Sequence, residues 1–410
     1  MLTLRTAYLQ LLRWPLWQCG LRPFFLAGAA VAALYVPAWL AVLGGRLRAP
    51  AFPGGATAWH AHELILGFGL ASVIGFSLTA VPEFTSARGF GRRISLGLFA
   101  LWLGARAAAA AIVLIGVWPL ALLQTALCLW LLLVLTRAIW QDPARRQLDL
   151  WAALAAVLLA ATLCSLDLAI GSVLFADPLA GLRLILHLML LLIVLTLARI
   201  SMRVVNRCLE EAGAEPDYLA RPPRRHIAAL LIVLHALAVL AGAQGVAGWL
   251  GLGAGAASLG LLGDWPHTRV LARRWVALLY TLPWLLGLGY LLDGAARLGA
   301  SIPPSAGLHV LAVGALGQGA FVVFCIAGRM HIGLSPDEGR WLPLAALMLL
   351  GAALVRALAG IAGLHALPLW WCAGFLWSSG FALWLWRGGV DLARRRGDGA
   401  WGCVGPRAPE

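Results

Sequence analysis

Along most of this chain apolar residues do not alternate with polar ones and show no amphipathic period; they run on for about twenty positions at a time. A run of that length matches the helix needed to cross a hydrocarbon core. Because the runs are continuous rather than alternating, they predict helices and not barrel strands. Twelve are readable, over residues 24–44, 61–82, 94–116, 117–140, 150–171, 179–200, 226–246, 247–263, 275–293, 305–326, 341–363 and 368–387. The seventh and eighth share one apolar stretch, broken only by the Gly-rich "AGAQGVAGWLGLG". The fold class expected is therefore all-α, a polytopic bundle of about twelve transmembrane helices.

Composition agrees, with 62% apolar and 12% charged residues in a 410-residue chain. Its formal charge of +14 would suggest nucleic acid if the basic groups were clustered. They are not: every one is an arginine, and 25 of the 31 fall on one set of alternate loops against four on the other. That asymmetry places both termini in the cytoplasm and makes anionic lipid, not nucleic acid, the partner of the basic loops. It predicts a multi-pass membrane protein with its basic loops on the cytoplasmic side. The organisation expected is an amphipathic cytoplasmic segment over 1–23, a membrane domain over 24–387 divided six and six by the cytoplasmic loop 202–226, and a disordered cytoplasmic tail over 388–410. No cleavable signal is expected at the N-terminus. The seven cysteines include no Cys-x-x-Cys pair, which predicts no disulfide and excludes c-type haem attached through Cys-x-x-Cys-His.

Topology sorts the nine histidines. His226, His267 and His331 belong to the cytoplasmic side, and His235 stands alone in mid-span as a packing residue. The other five lie in the outer half or at its rim: His60 and His62 open the second span, His187 is about two turns into the sixth, His309 is one turn into the tenth, and His365 is in the last external loop. The second, sixth and tenth spans all run inward, so His62, His187 and His309 can reach one depth on parallel helices. Ionisable groups at such a depth are expensive and mark sites, and imidazole serves copper, zinc and haem iron. On a helix His60 and His62 point about 200° apart. Either they form an extended clip for one metal, or each serves its own site. Glu63 is either a partner or proton carrier for His60 or a carboxylate favoured by a helix N-terminus.

Arg106 and Arg356 fall inside spans and need partners, with Asp167, a haem propionate or a substrate anion as candidates. Small residues recur at helical spacing, Gly67, Ala71 and Gly75 in the second span and Gly314 with Gly317 in the tenth. These serve either close helix packing or a flat cofactor.

Four strings then carry a likeness: "GLRPFFL" from Gly20, "WHAHELILGFGLASVIGFSLTAVPEFT" from Trp59, "ARISMRVVN" from Ala198 and "LHVLAVGALGQ" from Leu308. With them the chain resembles NnrS, a family of polytopic proteins linked to bacterial denitrification and nitric oxide stress. The resemblance implies non-covalent, b-type haem together with copper. It carries His60, His62 and Glu63 from its Trp-His-x-His-Glu motif, His309 from His-x-x-x-x-Gly, and Arg22 and Arg199 as matching arginines. The chain departs from the family at Leu334, where a histidine is usual, in the ninth span, which lacks one, and at Ser86, where the family has glycine after Thr85.

The function this implies is binding or turnover of nitric oxide at an outer-side histidine site. His60, His62, His187 and His309 are the metal ligands, and Arg22, Arg106, Arg199 and Arg356 join the cofactor set. If the reaction is reductive, an oxidoreductase results, with Glu63 as proton donor and electrons from quinol or a protein donor. The alternative class is a secondary transporter of major facilitator type, which twelve spans and a central cytoplasmic loop also suit. Its loop motif is poorly matched, since Ala87 stands where that superfamily has aspartate.

Overall fold

A computed structural model describes residues 10–400 other than 86, 88, 144, 145, 176, 267, 268, 336–338, 362–365, 397 and 398. His267 and His365 therefore lie outside the described residues. The structure is 82% helical with no strands among the described residues. Among the described residues twelve helices are long and apolar enough to cross a membrane. In chain order they are α1 (Leu21–Leu43), α2 (Gly55–Thr85), α3 (Arg92–Ala110), α4 (Trp118–Trp140), α5 (Leu148–Ala169), α6 (Pro178–Glu211), α7 (Pro222–Leu240), α8 (Gln244–Asp264), α9 (Arg274–Arg297), α10 (Pro304–Met330), α11 (Trp341–Ile361) and α12 (Ala366–Ala393).

Each expected span is thus present, and the differences lie at the ends. The polar stretch 202–226 is not a long loop, because α6 continues through Glu211 and α7 begins at Pro222. The connection left between them is anchored at Tyr218, whose backbone exchanges two hydrogen bonds with the Asn206 side chain, at 2.9 and 3.0 Å. Burial pushes the Tyr218 phenol up to about 12. At the other end, α12 runs on through residues 388–393, so the first part of the expected tail is helical. Cys19 is disulfide-bonded. This corrects the expectation of no disulfide, which rested on compartment, whereas the bond requires only two sulfurs within reach.

The chain forms two compact units, and neither boundary falls at the central loop. The first comprises 1–182, 323–342 and 381–410; the second comprises 183–322 and 343–380. In the second, glycines let α8 and α9 approach closely. A Cβ at Gly294 would meet Gly248 O and Leu252 N at 2.7 Å, and one at Gly255 would meet Gly287 O at 2.9 Å. That is the packing small residues provide where lipid gives no hydrophobic drive, and it explains why the Gly-rich stretch is helix from Gln244 on, the expected break being confined to residues 241–243.

The spans carrying His62, His187 and His309 have the most buried apolar stretches of the twelve: 83% of an 18-residue stretch in α2, 72% in α6 and 78% in α10, against 22% in α7. Two of them share a second feature. In α2 a short α-helix ends at His62 and a π-helix follows over Glu63–Gly69. In α10 a short α-helix ends at His309 and a π-helix follows over Val310–Gln318. π segments are uncommon, cost regularity and cluster at functional positions.

Candidate functional site

The first unit builds its site on the start of α2. Gly54, at φ 81°, is the turn that launches this helix, a conformation that costs glycine little. Phe52, just before that turn, lays its ring 4.9 Å from the His62 imidazole. His62 is 2% exposed and Glu63 6%. His62 Nδ1 lies 2.8 Å from Glu63 Oε1. The same carboxylate oxygen accepts from Arg106 Nη1 of α3 at 2.7 Å, and Arg106 Nη2 donates to Gln124 Oε1 of α4 at 2.9 Å. Gln124 Nε2 in turn faces Cys128 Sγ at 3.5 Å.

This chain of contacts fixes the imidazole chemically. A carboxylate paired with a guanidinium only accepts hydrogen bonds, so His62 Nδ1 must be the donor. In the neutral ring Nε2 then presents a lone pair. That atom is buried and has no hydrogen-bond partner. An imidazole whose Nδ1 is tied to a carboxylate and whose Nε2 is open has the arrangement of a metal-binding histidine with its orienting partner.

His60 does not share this environment. Its ring stacks on Trp39 at 4.4 Å and 17°, while His62 faces Phe52 and Glu63. Both residues are helical, so the extended clip is absent and the two imidazoles serve different surroundings, as helical geometry requires.

The second unit holds another buried polar cluster. His187 Nδ1 lies 3.1 Å from the Tyr290 hydroxyl, and the His187 ring is 5.0 Å from that of His235. His235 is therefore not alone, as the sequence suggested. Its Nδ1 donates to Ala247 O at 2.9 Å, and its Nε2 lies 3.3 Å from Asp293 Oδ2. Arg297 Nε donates to Asp293 Oδ2 at 2.7 Å, and Arg297 Nη1 donates to Gln244 Oε1 at 2.6 Å. His309, also in this unit, donates from Nδ1 to Ser305 O at 2.7 Å. The three imidazoles expected at one level thus fall in two units, each with its own neighbours. Among the described residues no group of three or more His, Cys, Asp or Glu side chains is placed to hold a metal ion.

The arginines sort differently from expectation. Arg106 pairs with Glu63, not Asp167, whose carboxylate instead accepts from the backbone of Leu174 and Phe175. Arg22 is fully buried and donates from Nη1 to the carbonyls of Pro15 and Arg394 at 3.0 and 2.9 Å. It therefore ties the two ends of the first unit's chain together. Arg356 lies over the Trp370 ring at 5.6 Å. Arg199 is half-buried on α6.

The small-residue faces are filled by protein. A Cβ at Gly75 would meet Phe25 at 2.8 Å, one at Gly314 would meet Leu285 at 2.9 Å, and one at Gly317 would run into Trp377. At these glycines the structure takes the close-packing alternative.

Sequence reasoning missed Gln124, Tyr290 and Asp293. Asp293 and Arg297, four apart at the end of α9, carried a legible ion-pair spacing; Gln124 and Tyr290 carried none. In comparison with known proteins, a family model described as NnrS protein matches residues 15–396. No curated protein matches the chain. Nothing in the family match supports a carrier of major facilitator type. With nearly its whole length matched and twelve apolar helices in place, the chain belongs to the NnrS protein family and is a multi-pass membrane protein of the nitric oxide response.

Proposed function

We propose that this protein binds nitric oxide at a haem held through His62, in the cytoplasmic membrane of a bacterium. The observation that carries the reading is the buried, unpartnered Nε2 of an imidazole whose other nitrogen is fixed on Glu63. The donor set suits a group that needs one protein ligand. Haem iron takes a single proximal imidazole. Copper held by protein alone takes several, and no such set exists among the described residues. When bound, the haem supplies an open iron position for a diatomic ligand.

The chain's own residues do the rest. Glu63 accepts from His62 Nδ1, fixes the tautomer and strengthens the imidazole as a ligand. Arg106 and Gln124 hold that carboxylate in place. Phe52 covers the imidazole with an apolar ring and keeps water away. With its Oε1 engaged by Arg106 and His62, Glu63 is a positioning residue in this reading and not the proton donor.

The test is direct. Purified protein should carry haem, and its Soret band should shift when nitric oxide is added. His62→Ala should lose that band while still being produced and inserted. Colourless, iron-free protein, or a His62→Ala variant with an unchanged spectrum, overturns the reading.

A further inference from the structure

The membrane boundary where α7 begins and α8 ends holds a cleft of about 370 Å³, lined by Arg224, Ile227, Ala257, Gly260 and Gly263, all within the second unit. Glycines make the opening. A Cβ at Gly260 would meet nothing within 4 Å, and one at Gly263 would run into the Arg224 guanidinium. The cleft therefore has a bare floor and a cation at its wall.

That cation is held from behind. Arg224 Nη1 lies 3.0 Å from Asp264 Oδ1 and donates to Gly260 O at 3.5 Å. Arg221, which precedes α7, brings its Nε to 3.8 Å from the same carboxylate oxygen, and its backbone N–H donates to Asp264 Oδ2 at 3.0 Å. The Asp264 side chain is 3% exposed, against 38% for Arg224 and 67% for Arg221. Two guanidiniums thus share one buried anion, which leaves a net positive charge on the open side, and the N-terminus of α7 adds its dipole there. A second anion would complete the group.

The rest of the groove is apolar. Ile227, on the cleft wall, begins a stripe with Leu230, Leu234 and Leu237, spaced three and four apart on one face of α7 and all exposed. A free phosphate would use the arginines and leave that stripe bare. A phospholipid uses both.

We infer that this cleft binds an anionic phospholipid, with its phosphate on Arg224 and Arg221 and an acyl chain along the α7 stripe. An anionic headgroup is preferred to a zwitterionic one, because a zwitterion brings its own cation to a site that already carries net positive charge. Asp264 positions the guanidiniums and does not touch the lipid. Nothing in the site depends on haem.

Native mass spectrometry of the full-length protein in detergent, titrated with phosphatidylglycerol or with phosphatidylcholine, tests this. The wild type should bind phosphatidylglycerol about tenfold more tightly, the worth of one charge-assisted hydrogen bond. Arg224→Gln, which leaves Asp264 paired with Arg221, should lose that preference. Gly260→Leu should lose it too, since it fills the floor while keeping every charge. Arg93→Gln, at an exposed arginine of α3 in the first unit, should keep it. A preference that survives both cleft variants, or that falls as far in Arg93→Gln, means diffuse surface charge and overturns the site. Displacement of bound phosphatidylglycerol by an equal concentration of inorganic phosphate overturns the lipid assignment, because the acyl stripe would then contribute nothing.

Discussion

The two units each bury an imidazole beside a carboxylate and an arginine, yet the clusters end differently. In the second, His235 Nδ1 donates to Ala247 O, its Nε2 lies 3.3 Å from the Asp293 carboxylate without completing a hydrogen bond, and Asp293 is held by Arg297. In the first, His62 reaches Glu63 with one nitrogen and nothing with the other. The same residue types therefore make a structural brace in one place and, in the reading proposed above, a binding group in the other. Composition does not separate them, nor does the count of hydrogen-bonded nitrogens; what lies opposite the second nitrogen does, a carboxylate at 3.3 Å for His235 and no hydrogen-bond partner for His62.

That contrast can be broken, beginning with the largest effect. Asp293→Ala should cost about 3–5 kcal/mol, because Arg297 and His235 lose their only shared anion in a dry interior. Thermal unfolding in detergent would read this. Glu63→Ala should cost less, about 1–3 kcal/mol, since Gln124 still accepts from Arg106; equal losses would mean that the first cluster is as much a brace as the second. Gly294→Ala should cost about 1–3 kcal/mol, as its Cβ meets backbone of α8 that cannot turn aside. Next come the imidazoles themselves. His235→Ala should be about 1–2 kcal/mol more destabilising than His62→Ala, because it removes the donor to Ala247 O and the ring that faces Asp293, and it should leave the visible spectrum untouched. His62→Ala should do the reverse. The smallest effect belongs to the exposed Arg207–Glu211 pair on α6, whose removal should change stability by about 0.5 kcal/mol or less.

The spans were legible because lipid imposes a length and an apolar content that leave little choice. The polar stretch 202–226 misled because charged, helix-compatible residues beyond a membrane boundary read like a loop; "ISMRVVNRCLEE" continues α6 with no breaker until Gly213. For His60 and His62 the turn angle of a helix left two alternatives, an extended clip or separate surroundings, and the helix over Gly55–His62 decides for the second. Gln124 and Tyr290 were invisible, since a single polar residue in an apolar run does not announce which neighbour it will meet. His235 was misjudged for the same reason: its partners come from α8 and α9, distant in sequence, through a close approach that only glycines permit.

The wide turns after His62 and His309 carry a further consequence. A π segment accommodates a residue that regular helix cannot, so removing one position between Glu63 and Gly69 would let α2 close into ordinary helix. The shortened rod would still cross the bilayer, with Leu70–Thr85 packed as before, and the residues N-terminal to the cut would keep nearly their present facing, because one residue fewer at about 100° each matches the under-turned wide segment. His62 and Glu63 would then keep their neighbours while the wide turn alone was lost, making a one-codon deletion a probe of that turn which no substitution provides.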